Sequence, residues 1–123
     1  MLEHEAHLRR AEDALAVANL ALPKGLHRDA ISRAYYAMYH AAKALLVSAG
    51  VDTRTHKGLI AKTRELFADQ LGPDLVPALA RLQAMRESSD YEVGVDMTSR
   101  AAGEACEAAR RFVDRAREII EAG

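Results

Sequence analysis

The chain has 123 residues, of which half are hydrophobic but only 5% aromatic, and 17 basic side chains face 18 acidic ones. This length fits one domain that needs neither disulfides nor a structural metal to fold. The charge balance excludes the strongly basic footprint of many nucleic-acid-binding proteins, although one helical face can still gather a few arginines.

Apolar residues recur every three or four positions along most of the chain, which is typical of amphipathic helices. The segment Pro-Lys-Gly at 23–25 ends the first predicted helix. Pro73 or Asp74 opens the fourth, and Thr98 or Ser99 caps the last. The sequence therefore predicts a first helix whose apolar stripe runs from Leu8 to Leu22. Further helices are predicted from Leu26 or Arg28 to Ala49, over about 56–70, from the fourth opening to about Tyr91, and from the last cap to Ala122, with no strand.

The connections between these helices are short, which favours antiparallel neighbours. The predicted fold class is all-α, an up-down antiparallel bundle of four to five helices in a single domain over residues 1–123. The N-terminal segment is charged from its third residue, and no apolar run approaches the ~20 residues of a membrane span. We therefore expect a cytoplasmic protein without membrane contact. The single Cys106 predicts a small buried residue rather than a disulfide or a metal ligand.

The second predicted helix carries two stripes of side chains that differ in chemistry. Its core stripe comprises Ile31, Ala34, Tyr35, Met38, Ala42, Leu45 and Ala49. A neighbouring polar stripe comprises Arg33, Tyr36, His40, Lys43 and Val47. On the third helix, the predicted buried face comprises Leu59, Ile60, Thr63, Leu66 and Phe67.

The polar stripe has two interpretations. Arg33 and His40 lie seven positions apart, so both side chains point the same way, about 10 Å apart along the axis. Tyrosines and a histidine on such a flank are most often packed residues whose polar atoms form hydrogen bonds at the rim. Alternatively, His40 takes the proton of a ribose 2′-hydroxyl while Arg33 holds the phosphate, a metal-independent chemistry.

Metal binding is not expected. His4 and His7 are three positions apart near Glu3 and Glu5, but this pattern is more typical of a solvated helix start. His56 indicates the beginning of the third helix. No phosphate-binding glycine loop or nucleophile elbow is present, and we expect no cofactor.

Several segments together carry a family resemblance: AEDALAVANL, HRDAISRAYYAMYHAAKALL, HKGLI, LQAMRESSDYEVG and an alanine-rich last helix. In this order they resemble the small stand-alone HEPN-domain proteins (higher eukaryotes and prokaryotes nucleotide-binding). The resemblance covers nearly the whole chain. The run from Arg28 to Leu46 is its most specific part, and Arg86 with Asp90 and Tyr91 is the second.

The resemblance implies a helical bundle that commonly forms a homodimer. Many such proteins are encoded beside a minimal nucleotidyltransferase and form a toxin–antitoxin pair with it. The toxic members are metal-independent ribonucleases. Their motif is an arginine followed by four to six residues and a histidine, and two copies meet at the dimer interface in one composite site.

This sequence departs from the family motif at its decisive position. The matching arginine is Arg86, but Glu-Ser-Ser-Asp-Tyr follows it, and no histidine occurs anywhere after His56. Arg33 and His40 have a similar spacing on a different helix, so the catalytic role cannot be transferred to them by resemblance.

Three functional interpretations follow. The first is a dimeric module that binds a nucleotide or RNA, pairs with a nucleotidyltransferase and lacks the ribonuclease motif. Its expected ligand-binding residues are Arg86, Asp90, Tyr91 and Tyr36, with Asp90 one helical turn from Arg86 and placed to form an ion pair with it.

The second interpretation is a metal-independent endoribonuclease toxin. It would use His40 as the base, with Arg33 or Arg86 as the phosphate clamp. The third is a purely structural bundle, in which the tyrosines and an Arg86–Asp90 pair serve packing alone.

Overall fold

The computed structural model describes residues 2–91 and 98–123, and for residues 88–91 it describes the backbone alone. Within these ranges it contains no strand and five helices: α1 (Glu3–Ala21), α2 (His27–Ser48), α3 (His56–Leu71), α4 (Leu75–Tyr91) and α5 (Ser99–Ala122). A short 3-10 turn, Leu22–Lys24, follows α1. The predicted all-α helical bundle is confirmed.

The helix ends follow local signals in the sequence. After the 3-10 turn, the chain reverses at Gly25, whose φ of 76° lies in the left-handed region that glycine adopts most readily. Thr55 and Thr98 cap α3 and α5, because their hydroxyls accept hydrogen bonds from the backbone N–H groups of Gly58 and Ala101. The helix predicted to open at Pro73 or Asp74 begins one residue later, at Leu75.

Helix α2 occupies the centre of the bundle and packs against all four other helices. Alanines on α1, α2 and α5 let the helix backbones approach closely, while a few large side chains fill the remaining space. The largest side chains that are almost fully buried are Tyr35, Phe112, Ile31, Met38, Leu45, Leu46, Leu59, Leu79 and Leu82. Burial of Cys106 matches its predicted place on the last helix.

Two residues assigned to the core by periodicity are exposed. Ala49 lies one residue beyond α2, so it no longer follows the helical stripe that buries Leu45. Leu66 is 44% exposed, because the buried face of α3 is narrow and centred on Leu59, Thr63 and Phe67. In the described part of the chain, no helix is both long enough and apolar enough to cross a membrane.

Candidate functional site

An open groove of about 380 Å³ runs between α1 and α2. Its walls are Arg10, Asp13, Ala14 and Val17 from α1, and Arg33, Tyr36 and His40 from α2. The structure thus brings the three residues singled out on the polar stripe of α2 into one groove. It adds a second guanidinium and a carboxylate from α1, which no pattern within α2 could predict.

The rest of the polar stripe does not reach the groove. Lys43 is tied to the connection between α2 and α3, where its Nζ donates to the Thr53 carbonyl at 2.7 Å and to Thr53 Oγ1 at 3.2 Å. It also forms a 3.4 Å ion pair with Asp52. The predicted stripe therefore divides into a groove part and a part that holds a loop.

His40 is paired with His7 of α1. Their Nδ1 atoms are 3.2 Å apart, so one ring donates and the other accepts, and the ring centroids are 5.5 Å apart in a stacked arrangement. Burial, followed by the positive charges of His7 and Arg10, lowers the pKa of His40 to about 4. His40 is therefore a neutral imidazole at pH 7.

The expectation that His7 is a solvated residue of the helix start was wrong. Its ring is partly covered, and burial lowers its pKa as well. The partner, His40, lies 33 positions away in the chain, so no local pattern in the sequence indicates this contact.

Arg86 of α4 packs against Tyr36. Its guanidinium carbon is 4.9 Å from the centroid of the Tyr36 ring and 5.9 Å from that of Tyr35. Its Nη2 donates to the Tyr36 hydroxyl at 2.6 Å. Arg86 is not among the described residues that line the groove. It contacts the groove residue Tyr36 by a cation–π contact and a charge-assisted hydrogen bond.

The side chains of Asp90 and Tyr91 lie outside the described residues. The predicted ion pair between Asp90 and Arg86, and the predicted ligand-binding role of both residues, therefore stay predictions. Of the expected ligand-binding residues, Tyr36 lines the groove and Arg86 supports it.

His56 joins the site from the first turn of α3. Its Nδ1 forms a hydrogen bond with the hydroxyl of the fully buried Tyr35, and its ring stacks on Tyr39, with centroids 4.7 Å apart. Burial raises the pKa of Tyr35, so the phenol keeps its proton and donates it to Nδ1. The proton of neutral His56 then resides on Nε2. The sequence pattern indicated only a helix start at His56.

These contacts form one aromatic cluster, which comprises Tyr35, Tyr36, Tyr39, His40, His56 and Arg86. Tyr39 links its two ends, because it contacts His40 edge-on at 5.1 Å and stacks on His56. The cluster fixes the α2 wall of the groove. In the part of the chain that the structure describes, no three His, Cys, Asp or Glu side chains gather as a metal site would require.

The structure is a helical bundle whose central helix is rich in tyrosine. Arg86 of a later helix packs on two of these tyrosine rings. The sequence model of the HEPN domain matches residues 4–119. The chain belongs to the HEPN family, as the resemblance in its sequence predicted.

Several curated proteins are similar in sequence to this chain. The chain is similar to a UPF0332 protein of Archaeoglobus fulgidus, with 36% identity over 98% of this chain and 97% of that protein. It is also similar to a UPF0332 protein of Thermotoga maritima, with 27% identity over 92% of this chain and 87% of the relative. A Methanocaldococcus jannaschii protein named as a candidate toxin is 41% identical over 47% of this chain and 43% of its own length.

Proposed function

We propose that this HEPN protein is a binding module whose α1–α2 groove holds the phosphate of a nucleotide or of RNA. The observation that carries the proposal is the convergence of Arg10 and Arg33 on one open groove, beside Tyr36 and His40. Guanidinium groups bind phosphate through paired, charge-assisted hydrogen bonds. Asp13 is the single carboxylate in the described lining, so the walls keep a positive balance.

In this proposal the groove binds its ligand without cleaving it. A general base works best when its pKa lies near the working pH, whereas the pKa of His40 is lowered to about 4 and its Nδ1 is engaged by His7. In addition, no histidine follows Arg86 at the spacing that the ribonuclease members of the family use. Both observations favour binding over catalysis.

The wider setting of this module is also a proposal. Two relatives from Methanocaldococcus jannaschii carry the name of a candidate toxin, which supports a toxin-like role for this chain as well. Together with membership of the HEPN family, this favours a cytoplasmic homodimer that pairs with a minimal nucleotidyltransferase in a toxin–antitoxin-like system. Co-purification of the chain with a nucleotidyltransferase encoded beside it would test that pairing.

Fluorescence anisotropy with a labelled single-stranded RNA and with a labelled nucleoside monophosphate tests the binding site. We expect Arg33→Glu and Arg10→Glu each to weaken binding by about tenfold or more at low salt, because each removes a phosphate contact. A matched control is Arg64→Glu, an equal charge change at an exposed position of α3, which packs on α2, α4 and α5. Equal affinities for all three variants would contradict the groove as the site.

The ribonuclease interpretation keeps one observation in its favour, since Arg33 and His40 do line the same groove. It predicts RNA cleavage that persists in the presence of a chelator and disappears in His40→Gln. The binding proposal predicts that the wild-type protein leaves the RNA intact under the conditions in which it binds. Chelator-resistant cleavage that depends on His40 would replace the binding proposal by the enzymatic one.

A further inference from the structure

We infer that the groove recognises a whole nucleotide unit, with an unpaired base stacked on the ring of Tyr36 and the phosphate on Arg33 or Arg10. This inference rests on the proposed function and specifies its ligand class. A free nucleotide and single-stranded RNA both contain this unit. In duplex RNA the bases are paired and stacked within the helix, and simple phosphates have no base.

The Tyr36 ring contacts Arg86 and also lines the groove. The guanidinium carbon of Arg86 is 4.9 Å from the ring centroid. Arg86 is not part of the described lining of the groove, whereas Tyr36 is, and Tyr36 is only partly buried. The ring therefore has aromatic surface within reach of a ligand in the groove.

The ring is held in place before any ligand arrives. The Tyr36 hydroxyl accepts a 2.6 Å hydrogen bond from Arg86, and the ring meets that of Tyr35 edge-on, with centroids 5.5 Å apart and an interplanar angle of 63°. Tyr35 is fully buried, so this support does not move easily. A pre-organised ring loses little conformational freedom on binding, which favours stacking.

The guanidinium also suits the ring for nucleobases. The positive charge of Arg86 beside the ring draws electron density from it, which favours stacking of an electron-rich base. Aromatic stacking of this kind accepts every base, because every base has a flat π-face.

The rest of the groove matches a nucleotide in polarity and size. Ala14 and Val17 form an apolar wall on α1 for the base, while Arg10 and Arg33 supply the guanidinium groups for the phosphate. Asp13 offers an acceptor for ribose hydroxyls or base N–H groups. The volume of about 380 Å³ lies in the range of small-ligand pockets.

The first experiment needs no variant. The wild-type protein is titrated with adenosine monophosphate, ribose 5-phosphate and inorganic phosphate, and with a single-stranded RNA and its duplex. We expect the monophosphate to bind about tenfold or more tightly than ribose 5-phosphate, and the single strand to bind more tightly than the duplex. Comparison of the monophosphate with the single strand then distinguishes a free nucleotide from a strand as the ligand.

The second experiment compares variants of the ring, using an oligonucleotide that contains fluorescent 2-aminopurine, whose emission is quenched on stacking. Tyr36→Leu is expected to lose the quenching and to weaken binding by about tenfold, while Tyr36→Phe keeps the quenching because the ring remains. Helical content measured by circular dichroism controls for misfolding of Tyr36→Leu.

The outcomes separate this inference from the proposed function. Binding that depends on Arg33 but is equal for monophosphate and ribose 5-phosphate, or unquenched with 2-aminopurine, would overturn base stacking and leave phosphate binding intact. If neither the nucleotide nor the single strand binds, the proposed function itself fails.

Discussion

At the scale of single residues, the site is built from contacts that keep its histidines neutral. Burial is the main reason why the pKa values of His7, His40 and His56 are lowered, and neighbouring positive charges act in the same direction. Each ring instead obtains a hydrogen bond, His7 and His40 from each other and His56 from Tyr35. The cluster therefore holds one full positive charge, that of Arg86, stacked against tyrosine rings.

This arrangement predicts a loss of stability in mild acid. A histidine whose pKa is lowered by folding binds protons more readily in the unfolded chain, so protonation favours unfolding. For His40 the stabilising effect is complete above its ordinary pKa of 6.5 and is lost as the pH falls toward about 4. Urea unfolding at several pH values should show this decrease.

The source of the pH dependence can be assigned with two variants. His40→Gln should flatten the decrease between pH 6.5 and 4, although His7 and His56 still contribute in the same direction. His4→Gln, on the same helix as His7 but outside the His7–His40 pair, serves as the control. A wild-type protein that is equally stable at pH 7 and pH 4.5 would contradict the prediction.

The hydroxyl of Tyr35 provides a second residue-scale prediction. Tyr35→Phe removes the donor to His56 Nδ1 and leaves that nitrogen without its partner, so it should destabilise the fold by about 1–2 kcal/mol. Tyr39→Phe is the matched control, because its ring stacks on His56 while the contact to Nδ1 belongs to Tyr35. Chemical denaturation that gives the same change for both variants would argue against a structural role for this hydrogen bond.

At the scale of the helices, two glycines inside α3 and α5 have opposite surroundings. A Cβ placed on Gly103 of α5 would meet no atom within 4 Å. A Cβ on Gly58 of α3 would lie 2.9 Å from the Thr55 hydroxyl that caps the helix. At Gly103 a larger side chain would fit, so the glycine lowers the stability of α5 although no neighbouring atom requires it. At Gly58 the missing side chain leaves space for the capping hydroxyl of Thr55.

The expected outcome is a difference in sign between two identical substitutions. Gly103→Ala should stabilise the protein by about 0.5–1 kcal/mol, since alanine lowers the entropy cost of the helix. Gly58→Ala should instead destabilise, because it displaces the capping hydroxyl, whose loss costs about 1 kcal/mol. Melting temperatures measure both changes, and in a Thr55→Ala background the Gly58→Ala change should become stabilising.

The helix scale is also where the sequence predicts most. Gly25, Thr55 and Thr98 act locally, so the ends of α1, α3 and α5 can be read from neighbouring residues. Helical periodicity likewise placed Arg33, Tyr36 and His40 on one face. It could not place His7 against His40, His56 against Tyr35 or Arg86 against Tyr36, because those pairs are 33, 21 and 50 positions apart and depend on how the helices pack.

At the scale of the whole molecule, core and groove share one helix. One side of α2 buries Ile31, Tyr35 and Met38 at 1% exposure or less, while its flank presents Arg33 and Tyr36 to the groove. Because α2 contacts every other helix, the geometry of the groove is tied to the packing of the entire bundle.

Self-association is the prediction that belongs to this scale. The proposed homodimer would have twice the chain mass of 13.4 kDa, and light scattering after size-exclusion chromatography measures that mass directly. We expect the dimer mass at micromolar concentration with and without nucleotide. A monomer mass throughout the same range would contradict the dimer and leave the groove proposal unaffected.

The placement of the tyrosines has a spectroscopic consequence. The chain has no tryptophan and four tyrosines, three of which, Tyr35, Tyr36 and Tyr39, belong to the aromatic cluster. The intrinsic near-ultraviolet absorption and emission of the protein therefore originate largely in this cluster, whose Tyr36 forms part of the groove wall. An optical signal from the unmodified chain should report events at this wall in real time, without a label or an added chromophore.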